Sequence, residues 1–272
     1  MLPLAAGAPL TVRSARVKEA RKLSRRPARA ERRLFLADGP KAVEGALSAV
    51  LDSGVSCAVE VFATPDVDAA SLREATVAAG VAWTAVDDRA MASLSDSVTP
   101  AGVVAVCRFL DSDPADVVRA ARLVVVCADV RDPGNAGTVI RTADAVAADG
   151  VILAGHSVDP YNPKTVRASV GSLFHLPHAL AADTAGAVAT ARDAGLVVLA
   201  ADGAGEVDLF DADKLVRGPV AWLFGNEAWG LPPATAALAD HRVRIPIPGR
   251  AESLNLATAA AVCLYATARA RR

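Results

Sequence analysis

Four apolar runs after residue 121 leave few choices of fold. They are "RLVVVCADV", "GVILAG", "LVVLAAD" and "PVAWLFGNE". Each is apolar at consecutive positions and lacks the alternation of a strand with one wet face. The first, "RLVVVCADV", is expected to be buried on both faces. Helical segments ended by Gly or near Pro lie between the runs: "GNAGTVIRTADAVAADG", "NPKTVRASVGSLFHLP" and "DTAGAVATARDAG". "HRVRIPIPG" supplies one more strand. The class is therefore α/β. A shorter alternation precedes it. "RLFLADGPKAVEGALSAV" reads as a strand, a turn at Asp38-Gly39, and a helix with Pro40 in its first turn. Further strands are expected at "AVEVFAT", "VAWTAVD" and "GVVAVCRF", with "DAASLREATVAAG" as a helix stopped by Gly80. The acidic, Pro-containing stretch "DSDPADVVRAARLVV" marks the boundary. The expected organisation is a basic arm over 1–33, a small α/β domain over 34–110, and a larger one over 119–272.

The 272 residues are 53% hydrophobic but only 4% aromatic, so the cores must be built from Ala, Val and Leu. The net charge of −1 hides an asymmetry. Residues 1–33 hold ten Lys/Arg against two acids, a net +8, and the remainder carries −9. A basic arm on an acidic body points to a polyanionic partner such as RNA, because Lys and Arg displace counterions from phosphates. The alternative is a solvated tail. Cys57, Cys107, Cys127 and Cys263 are scattered among apolar neighbours, which reads as buried free thiols in a reducing cytoplasm. His175 and His178 flank Pro177 with no second ligand pair nearby, so no metal site is expected. The opening "MLPLAAGAPLTVRSAR" shows no export signal, and the Ala-rich C-terminal stretch reads as a packed helix, not a membrane span.

Three loops that follow strands are unusually polar. "DVRDPGNAGTVIRTADA" places Arg131, Asp132, Gly134, Asn135 and Gly137 ahead of a helix, with Arg141 one turn past Gly137. Helix N-terminal amides there suit an anion. A dinucleotide fingerprint would need G-x-G-x-x-G, and only G-x-x-G is present. "LFGNEAWGLP" sets Asn226 and Glu227 between Gly225 and Gly230, either as a ligand-recognition loop or as a helix start with Glu227 in its first turn. "IPIPGRAESLNLATAAAVCLYA" is a rigid Pro/Gly turn followed by Ser253 and Asn255. Ser253 reads as the helix N-cap; Asn255, inside the first turn, is left without a capping role.

Taken together, these loops carry a resemblance. Asn135-x-Gly137-x-x-x-Arg141, then Phe224-Gly225-x-Glu227-x-x-Gly230, then Ile245-Pro246-Ile247-Pro248-Gly249 with Ser253-Leu254-Asn255-x-Ala257 resemble the three motifs of SpoU-type (TrmH-like) RNA 2′-O-ribose methyltransferases of the SPOUT superfamily. The resemblance covers residues 120–272, and "RLFLADGPKAVEGAL" is similar to the small RNA-substrate-binding domain that precedes the catalytic domain in many members. The doubled Ile-Pro step departs from the usual single one. The resemblance implies a knotted (trefoil) SPOUT catalytic domain with a smaller N-terminal α/β domain. It implies S-adenosyl-L-methionine as cofactor, held by Leu223, Phe224, Gly225, Ile245, Ile247, Leu254 and Ala257. It gives Arg141 the role of activating the ribose hydroxyl, or of holding the adjacent phosphate and the developing oxyanion. Asn135, Glu227, Ser253 and Asn255 would orient it, the nucleotide and the cofactor's tail. It further implies a homodimer and a structured RNA substrate, ribosomal RNA ahead of transfer RNA. Some relatives confer resistance to ribosome-targeting antibiotics; no residue here marks this chain as one. A non-catalytic RNA-binding relative would not need the whole polar set, and a nucleotide-dependent dehydrogenase lacks its third glycine.

Overall fold

The computed structural model describes residues 8–51 and 53–272. Residues 1–7, which carry part of the expected basic arm and of the export-signal reading, lie outside the described ones. In chain order the strands are β1 Leu34–Asp38, β2 Ala58–Ala63, β3 Ala82–Ala85, β4 Val103–Arg108, β5 Leu123–Ala128, β6 Gly150–Ala154, β7 His178–Ala181, β8 Val197–Ala201, β9 Val207–Asp208, β10 Val220–Phe224 and β11 His241–Arg244. The helices are α1 Ala15–Arg21, α2 Arg26–Arg32, α3 Pro40–Ser48, α4 Ala70–Ala78, α5 Asp88–Leu94, α6 Pro114–Val118, α7 Pro133–Ala145, α8 Pro163–Ser169, α9 Thr184–Asp193, α10 Asp213–Val216, α11 Pro233–Ala236 and α12 Leu256–Ala270. Among the described residues no helix is long and apolar enough to cross a membrane. The chain divides into two compact units, 1–110 with 161–174, and 111–160 with 175–272.

The larger unit is a seven-stranded sheet in the order β7-β6-β5-β10-β8-β11-β9, parallel throughout. Every residue of β5, β6 and β10 is buried, as the continuous apolar runs require. Val124, Val126 and Leu223 face one way, into a core with Val117 and Val118 of α6 and Val188 and Ala191 of α9. On β10, Trp222 faces the other way. Its indole N–H donates to Thr267 Oγ1 at 2.9 Å, fastening the buried side of α12 to the sheet. The apolar stripe of α12 (Ala257, Ala260, Cys263, Leu264) makes the rest of that seam and packs against α7. β10 returns between β5 and β8, so the carboxyl ends of β5, β10, β8 and β11 meet at a switch in strand order. Ligands collect at that point in open α/β sheets.

Two edge strands are not among those expected: β7, of four residues directly after Pro177, and β9, of two. The helix expected over "NPKTVRASVGSLFHLP" stops at Ser169. Val170 turns left-handed (φ 51°) and Gly171 follows at φ +93°, where an added Cβ would lie 3.0 Å from the Lys41 carbonyl oxygen.

The smaller unit has the sheet order β1-β4-β2-β3, with β4 antiparallel to both neighbours and β2 parallel to β3. Its core joins Leu36, Phe62 and Val104 to Met91 and Leu94 of α5 and to Val17, Ala20 and Leu23. The basic stretch is thus ordered from residue 14 onward as two short helices with a buried side. The helical stretch is interrupted at Arg25, whose backbone is extended, and Pro27 sits in the first turn of α2, where its missing N–H costs nothing. Arg29 is buried, and its guanidinium donates to the Leu23 and Ser24 carbonyls at 3.0 and 2.9 Å. Residues 161–174 lie inside the span read as the larger domain, yet they pack with this unit. The Tyr161 ring stacks 3.9 Å from Phe109 and 4.6 Å from Phe35, and its hydroxyl accepts from Leu110 N at 2.7 Å. Phe174 lies 5.8 Å from Phe35 and fits because position 45 is Gly, whose Cβ would meet the ring at 2.9 Å.

Candidate active site

The loop after β5 enters α7 through Asp132-Pro133. Asp132 is the N-cap: its Oδ1 accepts from Asn135 N at 2.8 Å, and Pro133 occupies the first turn. The amides just before the helix, Arg131 N and Asp132 N, donate to Glu227 Oε2 and Oε1 at 3.2 and 3.0 Å. The positive end of α7 is therefore answered by the protein's own carboxylates, which closes the expected anion site there. Glu227 lies in no helix. It stands in the loop after β10 and also accepts from Asn135 Nδ2 at 3.3 Å.

That loop is tightly built. Asn226 and Gly230 exchange backbone hydrogen bonds, both 2.9 Å. The buried Asn226 side chain donates to the Asp129 carbonyl at 2.7 Å and accepts from Ala228 N at 2.8 Å. Position 225 must be Gly: a Cβ there would lie 2.3 Å from Gly230 O. Gly230 has φ +67°, the left-handed region that glycine enters without strain.

In the third loop the capping roles differ from expectation. α12 starts at Leu256, so Asn255 is the N-cap and Ser253 lies outside the helix. Asn255 Oδ1 accepts from Ala257 N and Thr258 N at 2.9 and 3.2 Å, and its Nδ2 donates to Asn135 Oδ1 at 3.1 Å. Asn has one more polar group than a cap needs, and it is used to tie the third loop to the first. Asn135 thus bridges Asn255 and Glu227, and all three loops are joined through side chains.

Beside this network lies a cavity of about 370 Å³ at the carboxyl ends of β8, β10 and β11. Phe224, Gly225, Glu227, Ile245, Ile247, Ser253 and Leu254 line it. Asp202, Glu252 and Trp229 line it too and are legible only from the fold. Leu223 does not face it; its side chain is in the sheet core. Ala257 is buried in the first turn of α12, where its N–H is capped. Arg141 is exposed on α7, six residues past Asn135, or roughly 9 Å along the axis, and is not joined to the Glu227 network. Below the site, burial and the nearby Glu227 charge push the Cys127 thiol up to about 12, so it remains protonated and unreactive. Asp132 was announced by its place before Pro. Asn226 was named in its loop, but its carbonyl partner, Asp129, 97 residues away, was not.

Comparisons with known proteins agree with this architecture. The model of the SpoU rRNA Methylase family matches residues 122–265, and that of the MRM3-like substrate binding domain matches 14–105. The 23S rRNA (uridine(2479)-2′-O)-methyltransferase of Streptomyces viridochromogenes is 46% identical over 145 residues, 51% of this chain and 50% of that protein. The 23S rRNA (guanosine(2553)-2′-O)-methyltransferase RlmP of Bacillus subtilis is 30% identical over 258 residues, 94% of this chain and 96% of that one. The structure of an rRNA methyltransferase from Sinorhizobium meliloti with AdoMet bound superposes with a TM-score of 0.81 at 36% identity, covering 97% of this chain and 98% of the other. With the family model spanning more than half of its length and a relative aligned almost end to end, this chain belongs to the SpoU rRNA methylase family.

Proposed function

We propose that this chain methylates a ribose 2′-oxygen in ribosomal RNA, with S-adenosyl-L-methionine as methyl donor. The observation that carries the reading is the Asn255–Asn135–Glu227 network, which ties three loops into one rigid rim beside a cavity of ligand size. The rRNA substrates and bound AdoMet of the relatives support the choice of RNA and donor.

The residues present fit that cofactor. Ile245, Ile247 and Leu254 offer apolar walls for a flat heterocycle, and Asp202 and Glu252 offer carboxylates for hydroxyls or a cationic tail. When bound, it supplies a methyl group on a sulfonium that already leaves readily. The protein's task is to aim and stabilise. Glu227, held by two amides and Asn135, fixes the mouth of the cavity and the start of α7. Ser253, exposed on the cavity wall, is placed to orient the nucleotide or the cofactor's tail. Arg141, a guanidinium with donors only, meets the phosphate beside the reacting ribose or the charge growing on its 2′-oxygen. Since Arg141 stands apart from the network in one chain, a site completed by a second copy fits the reading. The proposal includes that homodimer and, on membership of the family, a trefoil-knotted catalytic domain and a cytoplasmic location.

Mapping of 2′-O-methyl positions on total RNA with and without the gene tests the activity, and loss of one rRNA position is expected. Arg141→Ala should abolish methylation while calorimetry still shows cofactor binding. Near-normal turnover in that variant removes Arg141 from the chemistry.

A further inference from the structure

The loop after β10 is closed by hydrogen bonds of Asn226, Glu227 and Gly230, yet it displays one large ring to solvent. Trp229 is 54% exposed at the rim of the cavity. The other two indoles are treated differently: Trp222 is fully buried and hydrogen-bonded, and Trp83 is half-buried on β3. An exposed indole on a mobile loop would call for no explanation. Here the loop is clamped by the paired Asn226–Gly230 bonds, by the Asn226 side chain and by Glu227, so the backbone that carries the ring is fixed before any ligand arrives. A cation accompanies it: the Arg131 guanidinium lies over the ring at 5.4 Å from the centroid. An exposed π-face backed by a guanidinium and bordering a ribose-methylating cavity matches the chemistry of nucleobases. These stack on aromatic faces, and Arg adds attraction to the phosphate that follows.

We propose that Trp229, backed by Arg131, is a stacking subsite for an unpaired nucleobase of the RNA, at or next to the nucleotide whose ribose is methylated. The inference rests on the RNA-methylating function proposed for the cavity. It assigns Trp229 a positioning role, because the ring would hold the base and through it aim the 2′-hydroxyl into the cavity. Stacking is tolerant of base identity, so the subsite supplies affinity and orientation without reading sequence.

The test uses the full-length protein and a short single-stranded oligoadenylate carrying a fluorescent dye, with binding read as the dye's anisotropy. In wild type the tryptophan emission should also quench on binding. Trp229→Ala should bind the oligonucleotide about ten-fold or more weakly, and Trp229→Phe should recover most of the loss. Calorimetry with S-adenosylmethionine should give the same affinity for all three proteins. With ribosomal RNA as substrate, Trp229→Ala should raise KM more than it lowers kcat. Unchanged oligonucleotide affinity in Trp229→Ala overturns the proposal. So does an equal loss of cofactor affinity, which would make Trp229 part of the cofactor wall. Absence of methylation by wild type would instead refute the proposed function, and the oligonucleotide titration would still decide the stacking subsite.

Discussion

Asn255 shows how much one side chain can decide. Its oxygen caps α12 and its nitrogen holds Asn135, so the two roles separate by substitution. Asn255→Asp keeps the capping oxygen and loses the donor. Methylation should fall strongly while thermal stability stays within a few degrees. Asn255→Ala loses both and should also cost about 1 kcal/mol of stability. Equal activity in the Asp variant and wild type would show that the link to Asn135 is idle. His178 carries a second prediction. Burial holds its imidazole below the ordinary histidine value, against the opposing pull of the Leu176 carbonyl and Asp111. The unfolded chain therefore takes up this proton at higher pH than the folded one. The contribution to stability is complete above roughly pH 6.5 and is lost as pH falls through the depressed folded value. His178→Asn, compared with wild type by melting at a series of pH values, should be less sensitive to acid in that window. Parallel curves would contradict it.

Among elements, α12 and the loop after β10 do most to shape the site. α12 is anchored at its far end by the buried Trp222–Thr267 hydrogen bond, and Thr267 also donates to the Cys263 carbonyl at 2.9 Å. Thr267→Val keeps the shape and leaves the indole N–H without an acceptor. A loss of about 1–3 kcal/mol is expected, read as a lower urea midpoint at unchanged slope. An unchanged midpoint would mean that the indole N–H finds another acceptor. Much of this element level was legible in the chain itself. The continuous apolar runs place β5, β6, β8 and β10, and Gly or Pro marks most helix ends. The short β7 and β9 were not legible, nor was the early stop of α8. There the backbone turns left-handed at Val170, a residue whose type gives no warning of it, because tertiary contacts outweigh local preference.

For the molecule as a whole, charge and packing divide the basic stretch. Arg29 is spent inside the smaller unit, and Arg32 and Lys22 pair with Glu19. Among the described residues, Arg21, Arg25 and Arg26 are exposed on α1 and α2 and at the turn between them, without a side-chain partner. With the exposed Arg13 and Lys18, they are charges available to a phosphate backbone. Arg25→Gln with Arg26→Gln should weaken RNA binding and reduce the slope of log affinity against log salt by roughly one for each phosphate no longer neutralised, with cofactor affinity intact. An unchanged slope would assign the stretch to folding alone. The sequence by itself determined the class of the sheet, the three polar loops and the family, because each is written in residues close together in the chain. Only the tertiary structure decided that β10 runs between β5 and β8, that residues 161–174 pack with the smaller unit, and that Asn255, not Ser253, caps α12. It also decided that Glu227 serves the start of α7. The physical reason is distance along the chain. Asn135 meets Glu227 across 92 residues and Asn255 across 120, and such pairings arise from packing, which no local pattern of residue types records.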